Sequence, residues 1–197
     1  MWKYSRFDIS FGIILTIALW GTAGCGAGPY GFARYYVPTD QEEPFFQQTR
    51  DYPYGVVAAN PDEFDGQLIS WFGIVESVSG TKDGRYLVRM THNRHKERHL
   101  CADESNSSCR VTVHFKSSGG FSALLALRPE DLVPGLDKIQ PGSLLKVYGR
   151  VRCQMAEDGQ KTCDYDEQGG VILEGAYYRQ WPARYYVTTR RASSLRR

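Results

Sequence analysis

The sequence predicts a mainly β domain: a five- to six-stranded, OB-like Greek-key barrel with a short helix between strands three and four. Three observations predict it. Strand-forming stretches and one helix-like stretch follow the order β-β-β-α-β-β. Glycines interrupt the two longest strands, at Gly73 and Gly149, where a small closed barrel needs its strands to bend. The helix-like stretch falls between the third and fourth strands, which favours the barrel over the alternative, a β-sandwich with a short helix.

Each element has its own signal. Asn60-Pro61-Asp62-Glu63-Phe64 offers a cap, a proline at the first helical position and acids in the first turn, so it reads as one helical turn stopped by Gly66. Gln67 to Val78 is β-branched and aromatic and forms the first strand. Ser79 to Gly84 supplies a hairpin turn, and Arg85 to Thr91 returns as the second strand with Tyr86, Val88 and Met90 on one face. Arg110 to Lys116 alternates cleanly, with Val111, Val113 and Phe115 opposite Arg110, Thr112, His114 and Lys116. Ser117-Ser-Gly-Gly120 breaks that strand, and Phe121 to Leu127 reads as the short helix, ended by Pro129. After a loop over Leu132 to Ile139, Ser143 to Arg152 is the fourth strand and Val171 to Tyr178 the fifth. Arg184 to Thr188 adds a sixth after Trp181-Pro182.

The chain ahead of the barrel has a different composition. Lys3 and Arg6 head an apolar run from Ile9 to Trp20, which ends in the small residues Gly21-Thr22-Ala23-Gly24. A basic head, a short apolar run and small residues at its end predict a secretory signal over 1–24. Cys25 follows directly. Gly21-Thr-Ala-Gly-Cys25 resembles the lipobox of bacterial lipoproteins, with Thr22 where such motifs usually carry leucine. The resemblance implies acylation of Cys25 and a membrane attachment through the N-terminal lipid. Residues 25–60, rich in Gly, Pro, Tyr and Phe without a lasting period, read as an extended tether whose aromatics cover the flank of the domain. The barrel is expected over 61–189 and a basic tail over 190–197.

Charge and cysteines agree with export. The formal net charge is only +2, which argues against a protein built to coat nucleic acid. Of five cysteines, four fall into local pairs, Cys101/Cys109 and Cys153/Cys163, each bracketing a polar turn-forming loop. Bridges across those loops would staple neighbouring strand ends in an oxidising compartment. The spacings are too long for the usual zinc pairs.

Two constellations are candidate sites. Three of the four histidines, His92, His95 and His99, lie within eight residues, and imidazole suits zinc, copper or nickel. As a helix the segment would put all three on one face; as a strand or hairpin it pairs His95 with His99 and opposes His92. The second is a ligand face of Arg89, Arg110, His114 and Tyr148, with Trp71, Tyr86 and Lys146 beside them, of the kind that takes oligosaccharide or single-stranded nucleic acid. Export and the charge balance oppose nucleic acid, and an oligosaccharide on the same face fits the compartment better. No Gly-x-Ser-x-Gly, His-Glu-x-x-His or phosphate-loop motif is present, so no catalytic residue and no cofactor are expected.

Phe64 to Val78, Gly142 to Val151 and Val171 to Gly175 are similar to the strand signatures of bacterial OB-fold envelope lipoproteins, the Slp-type outer-membrane lipoproteins among them. The resemblance implies a non-enzymatic lipid-anchored envelope protein that faces the periplasm and binds a partner protein or envelope component. Gly26 after Cys25 implies the inner leaflet of the outer membrane. The alternative is a periplasmic binding module for a metal ion or an anionic glycan or lipid through the His92–His99 loop.

Overall fold

The computed structural model describes residues 32–96, 98–101, 108–155, 159 and 161–190. The signal over 1–24, Cys25 and all of the 190–197 tail after Arg190 lie outside them. Strands β2 (Leu68–Gly80), β3 (Tyr86–His95), β6 (Thr112–Leu125), β7 (Leu144–Val151) and β10 (Val171–Trp181) form the barrel. Its order is β10-β7-β2-β3-β6, and β6 closes the ring by pairing parallel to β10. This connectivity defines an OB-like barrel. β11 (Val187–Thr189) extends the sheet on the lower half of β6, where Val187 to Thr189 face Thr112 to His114. Two small sheets flank the barrel: β1 (Phe32–Tyr35), β4 (Arg98–Cys101) and β5 (Cys109–Arg110), and the hairpin of β8 (Cys153–Met155) and β9 (Lys161–Cys163).

Alternation along the strands fills the barrel. Ile69, Trp71 and Val75 meet Val88, Met90, Phe121, Ala123, Leu125, Leu145, Val147 and Leu173 in one buried cluster. Gly73 is required by close approach: a Cβ there would lie 2.7 Å from that of Met90 and 2.9 Å from the Phe121 ring. The two local cysteine pairs are disulfides, Cys101–Cys109 across β4 and β5 and Cys153–Cys163 across β8 and β9, each joining residues in direct register.

Two expectations are corrected. Phe121 to Leu127 is not a helix; β6 runs unbroken through Ser117–Gly120 to Leu125. Phe121, Ala123 and Leu125 point inward at period two, and β3 and β10 pair with the segment from either side, so tertiary pairing overrides its helical preference. The helical element between the third and fourth barrel strands is instead one 3-10 turn, Pro129–Asp131. Gly119 carries the strand through at φ 148, where a Cβ would meet the Tyr54 ring at 2.5 Å. The stretch expected as an extended tether is folded onto the barrel from Phe32 onward. It contributes β1 and two short helices, α1 (Glu43–Gln48) and α2 (Tyr54–Ala59), and it buries Glu42 and Val57 completely. Its aromatics do cover the flank of the domain.

Candidate binding site

β2, β7 and β10 lie side by side. On β7, Leu145 and Val147 face the barrel interior, so Lys146 and Tyr148 must face outward. Outward here is not solvent. The strap formed by residues 34–50 lies over this face, and Lys146 and Tyr148 are 4% and 0% exposed.

At the centre sits Glu42, fully buried. Its carboxylate accepts hydrogen bonds from the Tyr36 hydroxyl, from the Tyr148 hydroxyl at 2.7 Å and from the Thr39 amide at 3.3 Å. It pairs with Lys146 Nζ at 3.1 Å and Arg179 Nη1 at 3.0 Å. Aromatic rings box in the ammonium, which lies 4.1 Å from the Tyr36 centroid, 4.6 Å from Phe46 and 4.8 Å from Tyr148. Burial pushes the Glu42 carboxyl up, but the two tyrosine hydroxyls and Lys146 outweigh it and hold the group below its usual range. Burial pulls Lys146 down to about 8 against the opposing pull of Glu42. Both tyrosine hydroxyls are pushed up, by burial first and by Glu42 second.

The structure divides the three histidines. His95 stacks on Phe72 at 4.5 Å and 11°, and its ring lies 5.4 Å from that of His99; both meet Tyr36 edge-on. His92 stacks instead on Tyr54, at 4.8 Å and 19°, with Trp71 and Phe121 edge-on. The segment is strand, so residues three apart face opposite ways, and the metal set His92, His95, His99 is not assembled. Among the described residues no group of three or more His, Cys, Asp or Glu could hold a metal ion. Burial pushes His92 down to about 4, His95 to about 3 and His99 to about 4. His92 Nδ1, His95 Nε2 and His99 Nδ1 are buried without a hydrogen-bond partner among the described residues.

The expected ligand face is also divided. Tyr148 is under the strap. Arg89 is spent on Glu76, at 3.0 Å, and on Asp166, a carboxylate further held by Ser122 Oγ at 2.6 Å and the Gly170 amide at 2.8 Å. Trp71 is 2% exposed, with its indole N–H donating to Tyr52 O at 3.3 Å. Arg110 ends β5 and His114 lies on β6 four residues later.

What sequence reasoning missed is a groove between the turn at 39–41 and β10. It has a volume of about 390 Å³ and is lined by Thr39, Asp40, Gln41, Arg128, Tyr177, Arg179 and Gln180; a smaller cavity of about 190 Å³ shares Gln41, Arg128 and Tyr177 with it. A buried carboxylate holds each guanidinium. Asp131, 1% exposed, accepts from Arg128 Nε at 2.7 Å and from Gln180 Nε2 at 2.7 Å, while Glu42 holds Arg179. Rigid planar donors beside a tyrosine suit a polar, anionic small ligand. The sequence signal was faint: one glutamate in an aromatic-rich stretch, and one lysine in the middle of an otherwise apolar strand.

No family model matches the chain, and no curated protein does. Among solved structures, a deletion mutant of the single-stranded DNA binding protein from Thermus aquaticus is similar at 16% identity and a TM-score of 0.30. The match covers 59% of this chain and 51% of that one, so the chain spans about half the length of that protein.

Proposed function

We propose that this chain is a lipid-anchored protein of the bacterial envelope, without catalytic activity, whose OB-like barrel binds an envelope component or partner at the groove between residues 39–41 and β10. The observation that carries the binding reading is the pair of guanidiniums, Arg128 and Arg179, each fixed by a buried carboxylate at the edge of one groove. Groups held in advance lose little entropy on binding. The Gly21–Cys25 motif supports the anchor, and the two disulfides fit an oxidising compartment such as the periplasm. An anionic glycan or lipid fits the groove's donors, whereas the divided histidines do not support a metal. The burial of Trp71, Tyr148 and Lys146 takes these three residues out of any stacking track for single-stranded nucleic acid.

Intact mass of protein purified from the envelope tests the anchor, and capture from envelope extract by wild type and by Gln41→Trp tests the groove. The expected result is an acylated chain starting at Cys25, and capture that Gln41→Trp abolishes. An unmodified Cys25, or capture indifferent to Gln41→Trp, would overturn the corresponding half of the proposal.

A further inference from the structure

A basic surface lies where the tip of β3, the start of β6 and β11 come together. Arg94, Arg110, Lys116, Arg184 and Arg190 are all exposed there, and none forms an ion pair with a described carboxylate. The strand pairings bring them together. His95, next to Arg94, faces Val113; Thr189, next to Arg190, faces His114; and Arg110 Nη1 donates to Arg184 O at 3.3 Å. The described residues of 86–125 and 181–190 include no aspartate or glutamate. Glu97, Asp103 and Glu104 belong to the same stretch of sequence but lie outside the described residues. Phe115 and Tyr185, 48% and 51% exposed, stand among the cations, with the Arg190 guanidinium 5.3 Å from the Phe115 centroid.

β1 belongs to this same end. Phe32 to Tyr35 pair with Arg98 to Cys101, and the Leu100 amide donates to Thr112 Oγ1 at 3.2 Å. From Phe32 back to Cys25 the chain spans at most about 25 Å even if fully extended. A lipid on Cys25 would therefore hold this end within reach of the bilayer. We propose that the basic end built from β6, β11 and the tip of β3 docks on the phosphate groups of the membrane surface, with Phe115 and Tyr185 at headgroup level. The orientation rests on the anchor proposed above; the affinity for lipid phosphate does not.

Vesicle cosedimentation of the mature chain from residue 25 with Cys25→Ser, which lacks both the apolar signal and the lipid, separates the two. Each basic residue near an anionic surface contributes about a fivefold preference. Wild-type surface charge should give strong binding to phosphatidylglycerol vesicles and little to phosphatidylcholine, with salt weakening it. Lys116→Glu/Arg190→Glu should weaken binding at least about 25-fold, while Lys82→Glu, at the β2–β3 hairpin, should change it less than about threefold. Circular dichroism and intact disulfides check that each variant folds. Equal binding to both vesicle types, equal loss in Lys82→Glu, displacement by millimolar inorganic phosphate alone, or preference for a single-stranded oligonucleotide over the vesicles would each overturn the proposal. If wild-type protein proves unacylated but Cys25→Ser still selects phosphatidylglycerol, the anchor fails and the docking surface stands.

Discussion

His92 offers the most direct measurement of how the barrel's burial couples to acid. Its imidazole is 8% exposed, lies among Tyr54, Trp71 and Phe121, and is pushed by burial down to about 4. In the unfolded chain the group titrates near 6.5. Between those values the unfolded state binds the proton and the folded state does not. The stability that depends on a neutral His92 is therefore complete above about pH 6.5 and is lost as pH falls through the unfolded value toward the folded one. Over the interval from pH 7.5 to 5.0 the loss is about 2 kcal/mol for this one group. Glu42, whose carboxyl is held low, makes its own loss mainly below that interval, and Lys146, at about 8, is still mostly charged at its upper end; His95 and His99, pushed down by burial as His92 is, lose stability over the same interval, but in wild type and variant alike. The substitution His92→Phe keeps a ring against Tyr54 and removes the titration, and Nδ1 has no described hydrogen bond to lose. Urea unfolding followed by tryptophan fluorescence, at both pH values and with disulfides intact, is the assay. With a slope of about 2 kcal/mol/M, the midpoint of His92→Phe should fall about 1 M less than that of wild type on acidification. If both midpoints fall equally, His92 is not a neutral buried group and the reasoning is wrong.

Other perturbations follow from the same structure. Glu42→Gln leaves the buried Lys146 and the half-buried Arg179 without their carboxylate, and should destabilise the fold by about 3–5 kcal/mol in urea unfolding; Glu42→Gln/Lys146→Met should recover most of that loss. Cys153→Ser/Cys163→Ser should cost about 2–3 kcal/mol, read from the same titration against the oxidised wild type. Gly73→Ala forces a Cβ between Met90 and Phe121 and should cost about 1–3 kcal/mol without changing the far-ultraviolet circular dichroism.

The barrel was legible in the sequence because its signals are local. Period-two alternation located Leu145, Val147 and Val151 on β7, and the two disulfides bridge the nearest cysteines in the chain. The segment at Phe121 was misread for a physical reason. Ser-Ala-Leu-Leu-Ala is good helix sequence, and only β3 and β10, folding from more than thirty and about fifty residues away, make it a strand. The histidines were half legible: strand geometry predicts that His92 opposes the other two, but nothing local says that Tyr36 will cover His95 and His99. The Glu42 cluster was the least legible. Its bond to Tyr148 joins residues 106 positions apart, and an outward-facing lysine at position 146 reads as solvated until the strap is known to cover it.

That long-range ion cluster also determines what an anchor could do. A free tether over 25–60 would let a barrel sample many orientations over tens of ångströms above a membrane. Here Glu42 fixes the strap to β7 and β10, and β1 fixes its leading end to β4, so the chain leaves the domain at one place. An attached lipid would then hold that end toward the bilayer. The two surfaces make separable demands on the same fold. Breaking the Glu42 cluster should loosen the strap at the groove, where Thr39, Asp40 and Gln41 form one wall, while β1 still ties the basic end to the chain that leads to Cys25. Glu42→Gln/Lys146→Met, folded but without its central ion pair, is therefore expected to lose capture at the groove and keep its preference for phosphatidylglycerol vesicles. Loss of both together would mean that the strap and the basic end act as one unit, and that the division drawn between them is wrong.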